Sequence, residues 1–147
     1  MTRPASLQRE IQAVAALREE RQEAAIYRPC LAEMPSMVRL LGLGQATATA
    51  MSADAEGWTT VLRHLEHWLC NSCEWSPLKT SPPAAAVQQP TREGETLLRR
   101  FSALDQQHVT TVEREALAFL AELHALARGL HTAQPAADET SDPTSPP

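Results

Sequence analysis

The stretch VTTVEREALAFLAELHALARGL, residues 109–130, decides the predicted fold because its apolar residues recur three and four positions apart throughout. That spacing places them on one face of an α-helix. One row consists of Val109, Val112, Ala116, Phe119, Leu123, Leu126 and Leu130, and a second row of Leu117, Leu120 and Ala127. The helix would be about 33 Å long at 1.5 Å per residue. The second row makes the stripe wider than the seam of a two-helix coil, which predicts a bundle.

The first thirty residues predict another helix, which begins at Ser6, a residue type that suits the N-cap. Pro29 is expected to kink or end it, since proline lacks an N–H donor and its ring clashes with the preceding turn. The predicted buried face consists of Leu7, Ile11, Val14 and Leu17.

A short second helix is predicted to begin near Pro35, because proline fits the first helical turn. It runs to Leu41 and is expected to stop at Gly42 and Gly44. The alanine-rich residues 45–51 that follow favour a further helical segment.

Two more segments show helical spacing. Residues 55–72 are amphipathic, with a stripe formed by Trp58, Val61, Leu62, Leu65, Trp68 and Leu69. Residues 92–105 carry Leu97, Leu98, Phe101 and Leu104. Sustained alternation of β-branched residues is absent from the sequence, so we predict an all-α fold, a single compact bundle of about five to six helices with a long C-terminal helix.

The prolines mark the predicted boundaries of this bundle. Residues 74–90 are rich in Ser, Pro, Ala and Gln and predict a flexible loop within a helical domain of residues 1–131. Residues 132–147 are polar, acidic and rich in proline, and predict a disordered tail.

The charge balance is acidic, with 13 Lys and Arg against 18 Asp and Glu and a net charge of −5. This argues against sequence-independent binding of free nucleic acid, which needs a concentrated positive field. Every cation except Lys79 is arginine. Arginine suits bidentate contacts to phosphate or carboxylate, although a codon bias would give the same composition.

The three cysteines, Cys30, Cys70 and Cys73, leave an odd thiol under any pairing. The sequence shows neither the apolar region of a signal peptide nor an apolar run near the ~18 residues of a membrane span. We therefore expect a cytoplasmic protein with reduced thiols and no membrane contact.

Four possible zinc ligands, His64, His67, Cys70 and Cys73, stand three residues apart. On a continuous helix, steps of three drift by about 60° each, so the four side chains would span half the circumference. They cannot surround one tetrahedral ion unless the helix unwinds near Asn71. We predict no metal site, with packing around Trp68 as the role of these residues.

Residues 38–49 resemble a helix-turn-helix, with Gly42 and Gly44 in the turn. The segment that would enter the DNA groove, residues 45–53, contains no Arg or Lys. It therefore lacks both phosphate anchors and the usual guanine contact. A DNA-binding regulator is nevertheless kept as the alternative function.

Catalytic motifs are not evident. The sequence shows neither a local Ser–His–Asp nor a Cys–His signature. The Arg–His spacing of helical ribonucleases of the HEPN type is also missing, and the glycine turn matches no phosphate-binding loop. We predict a protein that is not an enzyme and needs no cofactor.

Four segments, taken in order, resemble the small α-helical subunit of type III-B CRISPR effector complexes, the Cmr module. They are LAEMPSMV (31–38), GLGQA (42–46), HWL (67–69) and VEREALAFL (112–120). Asp105 matches an acidic residue that precedes the last segment in that family. The resemblance covers roughly residues 24–130, and the ordered set is more specific than any one motif.

The resemblance implies a non-catalytic subunit that stacks on copies of itself into a filament along the crRNA and target RNA, beside other Cmr-module subunits. It also implies arginine contacts to RNA phosphates. The candidate RNA-binding residues are Arg39, Arg63, Arg99, Arg100, Arg114 and Arg128. The alternative for these residues is a solvated face balanced by Glu113, Glu115 and Glu122.

Overall fold

Six α-helices account for most of the residues that the computed structural model describes, namely 5–19, 24–79 and 92–133. They are α1 (Ala5–Glu19), α2 (Ala24–Leu41), α3 (Leu43–Ala53), α4 (Glu56–His67), α5 (Glu95–Ser102) and α6 (Gln106–Ala133). A π-helical turn, Trp68–Ser72, continues α4. These three ranges contain no strand, so the predicted all-α bundle with a long C-terminal helix is confirmed.

The longest helix is α6, with 28 residues, and it measures about 42 Å at 1.5 Å per residue. Its buried side chains are Val112, Glu115, Ala116, Phe119, Leu120, Leu123 and Ala127. All of them except Glu115 belong to the two predicted rows. α6 packs against both α1 and α2, which explains why its apolar stripe is wider than a two-helix seam.

In contrast to the prediction, α2 runs without a break through both Pro29 and Pro35. An interior proline costs a helix about 3 kcal/mol. The buried residues of α2 recur four, three and four positions apart, and they are Tyr27, Leu31, Met34 and Val38. Burying each side chain contributes about 1.5–3 kcal/mol. Burial of this face therefore offsets the two prolines, and the predicted boundaries at Pro29 and Pro35 were wrong.

The buried face of α1 differs in part from the predicted one, since Leu17 is buried as predicted and Val14 is half-buried. Ala13, Ala16 and Leu17 are buried, whereas Leu7 and Ile11 are 41% and 45% exposed. α1 packs mainly on α6, and alanines at the contact let the two helices approach closely. Leu7 and Ile11 predicted a buried face because they are larger and more apolar than the alanines, but both are exposed.

Gly42 separates α2 from α3 with a φ of +82°, a conformation that glycine adopts without strain. The predicted stop at Gly42 is therefore confirmed. Gly44 does not stop a helix, since it lies in the first turn of α3. A Cβ on Gly44 would lie 3.2 Å from the Phe101 ring, so glycine here permits close packing of α3 against α5.

The amphipathic segment predicted over residues 55–72 is present as α4 and the π-turn. Most of its predicted stripe is buried, namely Val61, Leu62, Leu65, Trp68 and Leu69, and Trp58 is half-buried. At the end, the Cys73 N–H donates to the Trp68 carbonyl at 2.7 Å. That five-residue step defines the π-turn and changes the direction of the side chains beyond His67.

Residues 74–79 of the segment predicted as a loop follow the π-turn, and Ser76 and Leu78 are buried there. Residues 80–90 of that segment lie outside the described residues. So do residues 134–147 of the predicted tail, whereas Thr132 and Ala133 belong to α6.

α2 and α4 approach each other closely at Gly57. A Cβ at this position would overlap the Ile26 carbonyl oxygen and would lie 2.8 Å from the Cys30 sulfur. Backbone cannot move aside as a flexible side chain does, so only glycine fits.

We expect Gly57→Ala to lower the free energy of unfolding by about 2–3 kcal/mol, because the added methyl group forces α2 and α4 apart. Gly129→Ala is the matched control, since a Cβ there meets nothing within 4 Å. It should raise stability by up to about 1 kcal/mol through helix propensity. Chemical denaturation of both variants measures the difference, and equal effects would contradict the packing at Gly57.

Candidate functional site

The six candidate arginines lie on four helices. Arg39 ends α2, Arg63 lies on α4, the pair Arg99 and Arg100 lies on α5, and α6 carries Arg114 and Arg128. The half-buried ones are Arg63 and Arg100, and the other four are exposed. Of these six candidates, only Arg99 and Arg100 are neighbours in the sequence. The role of each arginine is therefore inferred from its contacts.

On α5, Arg99 is an exposed residue with a local partner. Its guanidinium lies 3.0 Å from the Glu95 carboxylate, one helical turn earlier. Exposed pairs of this type contribute about 0.3–0.5 kcal/mol. The interaction is weak enough for Arg99 to exchange Glu95 for another anion.

Arg100 has a structural contact set that sequence patterns did not reveal. Its Nη1 donates to the Leu78 carbonyl at 3.0 Å and to the Cys70 carbonyl at 3.4 Å. These carbonyls belong to the π-turn and to the segment after it, where regular helical bonding has ended. Arg100 therefore fixes this segment against α5.

The most extensive polar contact surrounds Glu115 on α6, which is only 7% exposed. Its Oε2 accepts hydrogen bonds from Arg9 Nε at 2.6 Å and Trp68 Nε1 at 3.1 Å. Its Oε1 accepts one from Trp75 Nε1 at 2.7 Å. We call these four residues the Glu115 cluster. Glu115 is therefore not the solvated counter-charge of the alternative interpretation.

Aromatic packing encloses the same carboxylate. The Trp68 ring stacks on Phe119 with centroids 5.3 Å apart and meets Trp75 edge-on at 5.7 Å. The indole N–H groups thus face the carboxylate while the rings fill the core. The cluster joins α1, the π-turn, the following segment and α6.

Two other carboxylates cap the first turns of neighbouring helices. Glu113 Oε2 accepts from the Leu43 N–H of α3 at 2.8 Å, and Glu66 Oε2 accepts from the Leu97 N–H of α5 at 2.9 Å. Such caps satisfy backbone donors that have no partner within their own helix. Burial raises the pKa of Glu66 above its ordinary value, and the Leu97 amide opposes that shift.

The four possible zinc ligands lie in different environments. His64 is buried, with Nδ1 3.0 Å from the Tyr27 hydroxyl, and His67 is exposed. Burial raises the pKa of Cys70 to about 11 and that of Cys73 to about 12, so both are neutral thiols at pH 7. In the described part of the chain, no group of three or more His, Cys, Asp or Glu side chains could hold a metal ion.

Large apolar side chains are exposed at a few places on the described surface. Leu40 and Leu41, at the end of α2 beside Arg39, are 83% and 50% exposed. The others are Leu7, Ile11 and Ile26. No helix among the described residues is long and apolar enough to cross a membrane.

A comparison with protein-family models finds one whose description is "CRISPR-associated protein (Cas_Cmr5)", and the match extends over residues 5–130. Neither the curated proteins nor the solved structures include a significant match to the chain. The family match starts with α1 and ends in the last turns of α6, so it includes the Glu115 cluster and all six candidate arginines.

We expect Glu115→Gln to lower the free energy of unfolding by about 3 kcal/mol, because it leaves Arg9 without a counter-charge and turns an amide donor toward indole donors. Glu122→Gln, on the same helix, removes the same charge and should change stability by less than about 0.5 kcal/mol. Urea denaturation monitored by tryptophan fluorescence measures both. Similar stabilities for the two variants would contradict the role given to the cluster.

His64 predicts a pH dependence of stability. Burial, and then the nearby Arg63 and His67, lower the pKa of His64 from 6.5 to about 4 in the folded state. The unfolded chain therefore binds a proton more readily, and stability present above pH 6.5 is lost as the pH falls toward 4. Between pH 7 and pH 5 the loss from this residue is about 2 kcal/mol.

Denaturation of the wild type and of His64→Gln at both pH values tests this. The variant should lose less stability on acidification, whereas the exposed His67→Gln should behave as the wild type does. An identical pH dependence in His64→Gln and the wild type would refute a buried neutral imidazole.

Proposed function

The chain belongs to the Cas_Cmr5 family and is a small subunit of the type III-B Cmr complex in CRISPR defence, and we propose that it serves there as a non-catalytic spacer. In this proposal, copies of the chain stack into a filament along the crRNA and target RNA. Their arginines contact RNA phosphates, and the chemistry is left to other subunits.

The observation that carries the proposal is the family match over residues 5–130. It covers all the described helices apart from the end of α6, so it concerns the whole bundle and not one motif. Stacking and RNA contact are what the resemblance of the ordered motifs implies for such a bundle.

Exposed apolar residues support stacking between copies. Leu40 and Leu41 are adjacent and exposed where α2 turns into α3. Burial of an exposed leucine contributes about 1.5–3 kcal/mol, enough to influence association. Arg39 beside them adds a cation that can pair with a carboxylate of a neighbouring subunit.

The acidic net charge of −5 suits a subunit that meets RNA inside a complex. Free RNA is bound largely through positive charge, so the isolated chain should bind it weakly. RNA already held by basic subunits needs only local contacts. The exposed arginines Arg39, Arg99, Arg114 and Arg128 offer such contacts.

The non-catalytic part of the proposal is supported by the roles of one buried and three half-buried polar side chains. Glu115 joins helices, Glu113 and Glu66 cap helices, and Arg100 fixes the segment after the π-turn. Each of these groups serves the fold. A catalytic acid or base needs access to a substrate, and Glu115 has almost none.

A DNA-binding regulator is not favoured by the structure of α3. Its residues Leu43, Ala46, Thr47 and Ala50 are buried, and α3 contains no Arg or Lys. A helix that packs one face inward and exposes no cation has little with which to anchor phosphates.

Reconstitution of the Cmr complex from its subunits and crRNA, with and without this chain, tests the proposal. The chain should co-elute with the complex in more than one copy by native mass spectrometry. Omitting it should weaken binding of target RNA, while cleavage of RNA that is bound at saturation should continue. Tight, sequence-selective binding of duplex DNA by the isolated chain, or a complex that excludes it, would overturn the proposal.

We expect Leu40→Glu to reduce the number of copies in the reconstituted complex, because a charge replaces an apolar contact between subunits. Its own unfolding free energy should change by less than about 0.5 kcal/mol, since Leu40 is exposed. Ala125→Glu adds the same charge at an exposed position of α6 and should leave the copy number unchanged. Wild-type copy number in Leu40→Glu would show that Leu40 lies outside the interface.

A further inference from the structure

The outer face of α1 carries an apolar row that the folded chain leaves largely uncovered. Leu7, Ile11 and Val14 lie three and four positions apart, which is the spacing of a buried helix face. In the structure Leu7 and Ile11 are exposed and Val14 is half-buried, because α1 packs on α6 through other residues. The burial that the spacing predicts is thus achieved only if another molecule covers this face.

The end of α2 presents a second uncovered apolar surface, formed by Leu40 and Leu41. Together with Arg39 they are called the α2 end. α2 packs on α3, α4 and α6, whereas α1 packs on α6 and the π-turn. Because both apolar surfaces are exposed in the single chain, neither of them covers the other.

Each surface carries a charge, and the two charges have opposite signs. Glu10 is exposed and lies three positions after Leu7 and one before Ile11, so these three residues share one side of the helix. They are called the α1 face. On the α2 end, the exposed charge is Arg39. Among the residues that the structure describes, neither Glu10 nor Arg39 has a hydrogen-bond or ion-pair partner.

The carboxylates nearest to the α2 end do not neutralise Arg39. Glu113 is engaged with α3, since its Oε2 accepts the Leu43 N–H at 2.8 Å. Glu33 precedes Arg39 by six positions, which is about 9 Å along the helix axis. The guanidinium is therefore available to a carboxylate of another molecule.

We propose that the α2 end of one copy of the chain docks against the α1 face of the next copy. The inference rests on the proposed function and specifies which two surfaces meet when copies stack. The leucines of the α2 end cover the apolar residues of the α1 face, and Arg39 pairs with Glu10 across the contact.

The charges favour this contact over a symmetric one. Two α2 ends facing each other would bring two Arg39 side chains together, and two α1 faces would bring two Glu10 side chains together. Juxtaposed like charges disfavour both arrangements. A contact between two different surfaces leaves one surface of each kind uncovered at the ends of a pair, so further copies can add.

The contact is small, because each side offers few apolar residues, whereas a stable interface usually buries about 800 Å² per partner. We therefore expect the isolated chain to associate weakly. Inside a complex that holds the copies side by side, a high effective concentration makes a weak contact sufficient.

The first test counts copies of the chain in the reconstituted complex by native mass spectrometry. Ile11→Glu and Leu40→Glu should each reduce the copy number to one, because each blocks one of the two surfaces. An equimolar mixture of the two variants should restore two copies and no more, since each variant keeps the surface that the other lacks. Ala125→Glu, an exposed change on α6, should keep the wild-type number.

The second test exchanges the charges. Arg39→Glu and Glu10→Arg should each weaken self-association of the isolated chain roughly three-fold to ten-fold in sedimentation equilibrium. The double variant should regain most of the wild-type association, because the pair forms again with its charges exchanged. A purely structural role of either residue would show no such rescue, and these variants keep the test decisive if Ile11→Glu unfolds.

Several outcomes would overturn the inference. These are a wild-type copy number in Ile11→Glu, no second copy in the mixture, and no rescue in the double charge exchange. Complete loss of the chain from the complex in Ile11→Glu would also overturn it, since the α1 face would then bind a different subunit. Exclusion of the wild-type chain, or its presence in a single copy, would instead refute the proposed function.

Discussion

The buried Glu115 carboxylate is the interaction on which the arrangement of the bundle depends. Removing a carboxylate from water costs several kcal/mol unless its oxygens are satisfied, and here a guanidinium and two indoles donate to it. The donors come from α1, the π-turn and the segment after it. Because all of them must meet one side chain of α6, the carboxylate positions three elements at once.

Two other carboxylates accept hydrogen bonds from backbone N–H groups in the first turns of helices. Glu113 of α6 caps α3, and Glu66 of α4 caps α5. Both α3 and α5 are short, with 11 and 8 residues, and isolated helices of that length are marginal. Some of the acidic residues therefore stabilise the fold.

The sequence was most informative where apolar residues recur at helical spacing over several turns. The rows of α6 and the stripe from Val61 to Leu69 identified two helices and their buried faces, because burial of a continuous apolar face dominates local energetics. Pro29 and Pro35 led to wrong predictions of helix boundaries. Propensity rules take no account of tertiary burial, which here involves Tyr27, Leu31, Met34 and Val38. The sequence gives no sign that Glu115 is buried, because all three of its donors lie 40 or more positions away along the chain.

The central claim is that this Cas_Cmr5-family chain, whose fold depends on the buried Glu115 carboxylate, acts as a spacer along RNA. The most direct measurement is an electron cryomicroscopy reconstruction of the assembled complex with crRNA and target RNA. The account predicts several stacked copies of the chain along the RNA, with exposed arginines within hydrogen-bonding distance of its phosphates. A single copy remote from the RNA, or stacked copies whose arginines all face away from it, would contradict it.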